Sequence, residues 1–235
     1  MSSNGANATH VSVRTTLPRL PLSERPTIRT ERLLIRPLTR GDLDAVYSLR
    51  KEPKFMAEST LGKPDASIEE SRAQLDRLIE PPAEHFFFGI FLAGTGELIG
   101  DGGIHTIRGS GMGWPELGYK LHPAHWGRGY ATESAGAVLK AWWALPREEV
   151  EIQVHPGTLP PQKKKKVADE EEESESPIVS RERVVADIAA YNAGSRRVLE
   201  KLGFDDFGFW EEPDTQLHRL GQPLMMGHFV LSSPS

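Results

Sequence analysis

Glu116-Leu117-Gly118-Tyr119-Lys120-Leu121-His122-Pro123-Ala124-His125-Trp126-Gly127-Arg128-Gly129-Tyr130-Ala131-Thr132-Glu133 runs from a strand through a glycine loop into a helix. Leu117, Tyr119 and Leu121 alternate with Glu116, Gly118 and Lys120, the period-two pattern of a strand. His122-Pro123 ends it, because proline cannot donate to a ladder. Ala131, Ala135, Val138, Leu139 and Trp142 then recur at spacings that share one helical face, as far as Pro146. Between strand and helix lies Gly127-Arg128-Gly129. Two glycines directly ahead of a helix let the backbone approach a ligand with its N–H groups unpaired, and the helix start adds partial positive charge. That suits a phosphate or pyrophosphate, against the alternative of a tight turn with no ligand. No Gly-Lys-Ser/Thr follows, so this is not a Walker loop, and no third glycine makes it a dinucleotide fingerprint.

Trp126-Gly127-Arg128-Gly129-Tyr130-Ala131 resembles the acetyl-coenzyme A loop of the GCN5-related N-acetyltransferases (GNAT), although Trp126 departs from the Gln or Arg of that family's first motif position. Trp-Gly-x-Gly-Tyr-Ala-Thr-Glu is common in the RimJ/RimL-like branch, the ribosomal-protein N-acetyltransferases. The run from Asn192-Ala193-Gly194-Ser195 to Phe204 looks like that branch's other signature. The resemblance implies an α/β (α+β) fold, a mixed and mainly antiparallel sheet flanked by helices. It implies acetyl-CoA as cosubstrate and no metal. Main-chain groups around Leu121 would hold the acetyl carbonyl and pantetheine, and the loop and helix start, Trp126, Gly127, Arg128, Gly129, Tyr130, Ala131 and Thr132, would hold the pyrophosphate, with Asn192 a further cofactor contact.

At 235 residues the chain suits one domain with attachments and is long enough for a substantial core. The balance of 28 basic against 33 acidic residues gives no global basic footprint for nucleic acid. With no cysteine there is neither a disulfide scaffold nor an acyl-cysteine mechanism. No apolar run approaches the roughly 20 residues that cross a bilayer, so a soluble, cytoplasmic protein without a membrane partner is expected, with nucleus or mitochondrion as alternatives. Residues 1–25 are rich in Ser, Thr and Asn and read as a disordered tail ahead of a domain spanning 26–235. Asn7-Ala8-Thr9 is a glycosylation sequon without a signal peptide to bring it to the enzyme.

Taken in order, Arg32 to Leu38 reads as an opening strand, followed by a helix through Leu43, Val46, Tyr47 and Leu49 with Asp42 as cap. Ser67 and Glu70 read as a capping box for a second helix, Ile68 to Ile79, ended by Pro81-Pro82. Phe86 to Leu92 and Glu97 to Ile107 form a hairpin around Ala93-Gly94-Thr95-Gly96, the first strand apolar enough to be covered on both faces. Val150 to Val154 alternates like a strand. The prolines, the Lys163–Lys166 run and the acidic block Asp169–Glu173 then make residues 155–183 a flexible, charged insertion, a solvated loop or a docking segment for a protein partner. The interrupted strand resumes at Val184 to Ile188, and in the family it splays from its neighbour to leave the pantetheine slot. Asn192 caps a short helix with Gly203 at its end, and Phe204 to Trp210 and Leu224 to Leu231 are the closing strands.

Direct acetyl transfer needs a neutral amine, a polarised carbonyl and a proton for the departing thiolate. Alternation puts Glu116 on the face of Gly118 and Lys120, which makes it the candidate base, acting through water, with His122 and His125 as rivals. Its bland alternative is a strand-end carboxylate paired with an arginine. By resemblance Ser195 serves the coenzyme sulfur. Many relatives use tyrosine there, but Tyr191 falls before the motif. The function expected is N-acetyl transfer from acetyl-CoA to a primary amine, an α-amine on a peptide or small molecule. The alternative is a non-catalytic acetyl-CoA-binding or protein-interaction module.

Overall fold

The computed structural model describes residues 8–22, 25–57, 59–79, 85–160 and 177–234. Along the chain the strands and helices are β1 (Val11–Pro18), β2 (Ile28–Arg29), β3 (Leu33–Arg36), α1 (Leu43–Arg50), α2 (Pro53–Met56), α3 (Ile68–Ile79), β4 (Phe86–Leu92) and β5 (Leu98–Thr106). They continue with β6 (Glu116–Leu121), α4 (Tyr130–Trp143), β7 (Arg147–Val154), β8 (Ile178–Val179), β9 (Arg183–Ala189), α5 (Ala193–Lys201), β10 (Asp205–Pro213) and β11 (Pro223–Ser232). The main sheet has the order β10-β11-β9-β6-β5-β4-β3-β2, antiparallel throughout except between β6 and β9. This is the mixed, mainly antiparallel sheet flanked by helices that the sequence leads one to expect.

Each face of the sheet is covered by what the sequence patterns provide. The apolar stripe of α4 (Ala135, Val138, Leu139, Trp142) packs with Leu117, Leu121, Val184, Ala186 and, from α5, Leu199. On the other face Val46, Leu49, Phe55, Met56 and Leu75 of the first three helices cover Phe91 and Leu98. Strand β4 sends Phe86, Phe88 and Ile90 into one core and Phe91 into the other, so it is covered on both faces. The predicted caps are built differently. Asp42 accepts from Thr39 N at 2.8 Å and holds Arg36 at 2.7 Å instead of capping α1, and Glu70 accepts from Ala66 N rather than from Ser67.

Two expectations fail at the chain's N-terminal part and after α4. The described part of the expected tail forms β1, which pairs with all of β7, from Val11 opposite Val154 to Pro18 opposite Arg147, and with β8 on its other edge. Val11, Val13, Thr15 and Leu17 alternate at strand period, and Val13 and Leu17 are fully buried; the Ser and Thr content masked that pattern. Consequently β7 is not the first half of β9. It belongs to this second sheet, while β9 enters the main one. The segment read as a loose insertion narrows too. Pro156–Thr158 is a 3₁₀ turn whose buried Thr158 accepts from Trp114 Nε1 at 2.8 Å, and Ile178 to Arg183 is strand or packed backbone. The lysine and acidic runs, like Asn7 and the proline pair after α3, lie outside the described residues.

Glu182 ties these parts together. Its carboxylate accepts from Trp142 Nε1 at 2.9 Å and faces Arg147 Nε at 2.8 Å. Burial pushes it up to about 7, against the opposing pull of Arg147. A folded acid held above its unfolded range binds its proton more tightly when folded. Its contribution is therefore present below the ordinary carboxylate range and is lost as pH rises through about 7. Urea unfolding of Glu182→Gln should show a flatter fall of stability between about pH 5 and pH 8 than the parent chain. Parallel profiles would remove Glu182 as the source. Leu17→Ala should cost about 2–5 kcal/mol, the range for a buried leucine, whereas an unattached tail would give no change in the same measurement.

Candidate active site

The site is built where β6 and β9 part. Being parallel neighbours, they share the ladder pair Glu116 and Val185, and from there they diverge while β9 keeps its other edge paired with β11 from Arg183 to Ala189. On its other edge β6 stays in register with β5, and His122 N donates to Ile99 O at 2.8 Å. Antiparallel bonding alternates, so Gly118 and Lys120 share that phase and direct their backbone groups to β5, while the N–H groups of Tyr119 and Leu121 point into the gap. The Leu121 carbonyl is claimed by Trp126, whose indole N–H donates to it at 2.7 Å. Trp126 is thus the strut that folds the glycine loop back over the end of β6, a role its otherwise exposed ring does not reveal in sequence.

The loop meets its geometric requirement. Gly127 and Gly129 have φ of +73° and +81°, in the left-handed region that other residues enter at a cost, and Gly129 is the N-cap of α4. Residues 126–129 are exposed, and nothing lies within 4 Å of where a Cβ on Gly127 would sit. A clamp from β3's approach fixes the loop from behind: Arg32 donates to the Arg128 carbonyl at 3.0 Å and pairs with Glu133 at 2.5 Å, over the ring of Tyr130. Thr30 adds a bond from its hydroxyl to the same carboxylate. Ala131 and Thr132 follow in the first turn of α4, half-buried.

A cavity of ≈ 760 Å³ lies at the gap and takes its lining from both faces of the sheet. On the α5 side it is lined by Asn192 and Ser195, and Asn192 Oδ1 caps α5 by accepting from Ser195 N at 3.0 Å. Tyr119 Oη donates to the Ser195 carbonyl at 3.4 Å, stitching β6 to α5; burial pushes this phenol up to about 12, so it stays protonated. On the α1 side the lining includes Glu116 and Lys120, as the strand alternation requires, with Lys120 over the Phe55 ring. Glu116 faces His105 Nε2 at 3.5 Å, not an arginine.

His122 and His125 do not line the cavity. His122 Nδ1 caps the turn after β6 by accepting from Ala124 N, and buried His125 faces Glu97 at 3.1 Å. The sequence reading missed Asp101, His105, Asp187 and Glu212, all in the cavity wall, and buried His228 behind them. A signal existed for Asp187: an acid inside Val184-Val185-Ala186-Asp187-Ile188 is out of place in an apolar strand unless it has a task.

Residues 32–205 match the family model described as an acetyltransferase (GNAT) domain. An uncharacterised N-acetyltransferase, p20, of Bacillus licheniformis is 28% identical over 139 residues, 57% of this chain and 76% of that one. An acetyltransferase of the GNAT family from Bacillus anthracis superposes with a TM-score of 0.61 at 20% identity, covering 88% of this chain and 99% of its own. A ribosomal-protein-S5-alanine acetyltransferase from Vibrio fischeri gives a TM-score of 0.59 at 14% identity, covering 89% and 98%.

Because φ at Gly129 is +81°, Gly129→Val should cost about 1–2 kcal/mol in the loop and lower the melting temperature by several degrees, whereas Gly129→Asn, which tolerates this region, should stay near the parent. Equal melting temperatures for the two variants would show that the loop relaxes out of the left-handed region.

Proposed function

The chain belongs to the acetyltransferase (GNAT) family and is an acetyl-CoA-dependent acyltransferase, and from that premise we propose which residues hold the donor and which amine accepts. The observation that carries the reading is the gap itself. It offers the inward-facing N–H groups of Tyr119 and Leu121 to a thioester carbonyl and an amide-bearing arm, beside an exposed helix start with two left-handed glycines suited to a pyrophosphate. Gly127 to Thr132, with Trp126 as strut, form the pyrophosphate cradle, and Arg128 lends charge. Asn192 holds the α5 end of the arm, and the Ser195 hydroxyl supplies the proton that the thiolate takes as it leaves.

Glu116 removes the proton that the amine sheds on attack, through an intervening water. Its place on the α1 face of the gap supports this, as does its weak partnering by a histidine instead of an arginine. The acceptor is an α-amine on a peptide or small molecule. An α-amino group, near pH 8, needs less help to lose its proton than a lysine near 10.4. The two loop and α5 motifs, and the likeness to a ribosomal-protein acetyltransferase, support the RimJ/RimL-like branch within the family.

Two measurements test this. Calorimetry should detect acetyl-CoA binding, weakened at least tenfold in Gly129→Val with its bulk at the cradle; equal affinity in a folded variant places the phosphates elsewhere. Thiol release should then be faster on peptides with a free N-terminus, or on small α-amines, than on peptides whose only amine is a lysine. The reverse order would defeat the α-amine assignment.

A further inference from the structure

Asp187 stands on β9 two residues past Val185, the ladder partner of Glu116. Partners in a ladder share a face, so Glu116 and Asp187 flank the gap on the same side, with Gly118 on that side too and the His105 ring lying over it against Glu116. Asp187 is held from behind. Its ladder partner on β11 is His228, whose Nδ1 lies 3.0 Å from Asp187 Oδ1. The His228 ring has no exposed surface and stacks on Trp210 at 3.7 Å, and its Nε2 lies 3.5 Å from Glu212 Oε1. Trp210 Nε1 fixes Glu212 in turn at 2.7 Å. One buried imidazole thus lies between two carboxylates of the cavity wall, hydrogen-bonded to Asp187 and within ion-pair distance of Glu212.

Other charged groups in the wall are matched differently. Arg50 faces Asp65, Lys120 faces Asp101 and Arg219 faces Asp214, while Glu116 faces His105. His85 lies at the far end, bonded to Leu78 O and Arg25. Asp187 and Glu212 have no arginine or lysine among these pairs, and burial, with Glu116 and Glu212 nearby, pushes the Asp187 carboxyl up despite its bond to His228.

We propose that Asp187 is a second catalytic carboxylate, which takes the first proton from the acceptor ammonium, and that His228 and Glu212 position it. This rests on the acetyltransferase reading above. An ammonium must lose two protons on its way to an amide. The first passes to Asp187, freeing the nitrogen lone pair. The N–C bond then forms as the C–S bond breaks, the sulfur leaves with its electron pair, and the second proton departs through water to Glu116. One proton returns to the thiolate by way of Ser195 and the other goes to solvent, so the sum is one amide, one thiol and one released proton. A carboxyl with raised proton affinity is better matched to an ammonium than an ordinary one.

The two roles separate by pH. Asp187→Asn should lower kcat/KM by about a hundredfold below the acceptor's pKa and recover about tenfold per pH unit as solution supplies neutral amine. Glu116→Gln should show a loss that pH does not restore. His228→Gln should weaken turnover in the same low-pH range as Asp187→Asn, to a lesser degree, with acetyl-CoA affinity unchanged. A pH-independent loss in Asp187→Asn, or one that tracks lost acetyl-CoA affinity, overturns the assignment. Carboxyl ¹³C NMR gives a readout that needs no turnover: Asp187, identified by its absence in Asp187→Asn, should titrate above the ordinary aspartate range and move down in Glu116→Gln. A titration in the ordinary range overturns the inference even if the chain acetylates amines, while a raised titration with no turnover on any amine sinks the acceptor reading and leaves the carboxylate pair standing.

Discussion

A ladder that stops in the middle of a sheet is the constraint on which the rest depends. Buried backbone groups are paired almost without exception, so a sheet that opens between two interior strands must give the freed groups other partners or a ligand. Here one carbonyl at the break, that of Leu121, is taken by the Trp126 indole, and the neighbouring N–H groups are left facing a cavity. The opening is held to its width by bonds that do not run through the ladder. Tyr119 reaches Ser195 under it, α4 and α5 share one core beneath both strands, and β9 is anchored on its far edge by seven residues of register with β11. Two half-sheets are thus fixed to the same helices while joined to each other at the Glu116–Val185 pair, below the opening.

The second sheet explains how the far half keeps its shape. Val13 of β1, Trp114 ahead of β6, Val154 of β7, Val185 of β9 and Val230 of β11 form one cluster, reached also by Trp210. Burying a valine or tryptophan here contributes on the order of 1.5–3 kcal/mol apiece, more than a backbone bond of about 1 kcal/mol lost at the break. The same cluster supports the ring of His228 through Trp210, which links packing by the N-terminal strand to the wall of the cavity.

The strand, loop and helix from Glu116 to Trp143 were legible because each obeys a local rule: alternation, left-handed glycines, a one-sided stripe. The position of Glu116 on the cavity face followed from the same alternation, whereas Ser195, which also lines the cavity, was named through the family resemblance and not through any local rule. What could not be read is whatever depends on pairing between distant strands. Val11 to Leu17 alternates as clearly as any strand in the chain, but nothing local says that its partner is Arg147 to Val154, and without a partner a polar, terminal stretch reads as a tail. Asp187 and His228 are 41 residues apart and become neighbours only through the register of β9 on β11. His122 and His125, adjacent to the motif in sequence, face away because the turn after β6 uses them as cap and packing.

The two sides of the gap carry opposite polarity, and this bears on how a donor and an acceptor would meet. The start of α4 and its glycine loop present N–H groups and a helix dipole to one face. The other face is walled by Asp101, Glu116, Asp187, Glu212 and Asp214, with Lys120 facing Asp101 and Arg219 facing Asp214. On the proposed reading, an anionic donor and a cationic acceptor would be drawn to different faces of one sheet, on either side of Gly118. That glycine is needed for space and not for a turn: a Cβ there would sit 2.7 Å from the His105 ring, inside the distance carbon atoms tolerate. Alternation aims position 118 at the acceptor side, and any side chain would press on His105 and, through it, on Glu116. The small residue at the centre of the strand keeps the two faces in communication, which makes a break in a ladder usable as a site.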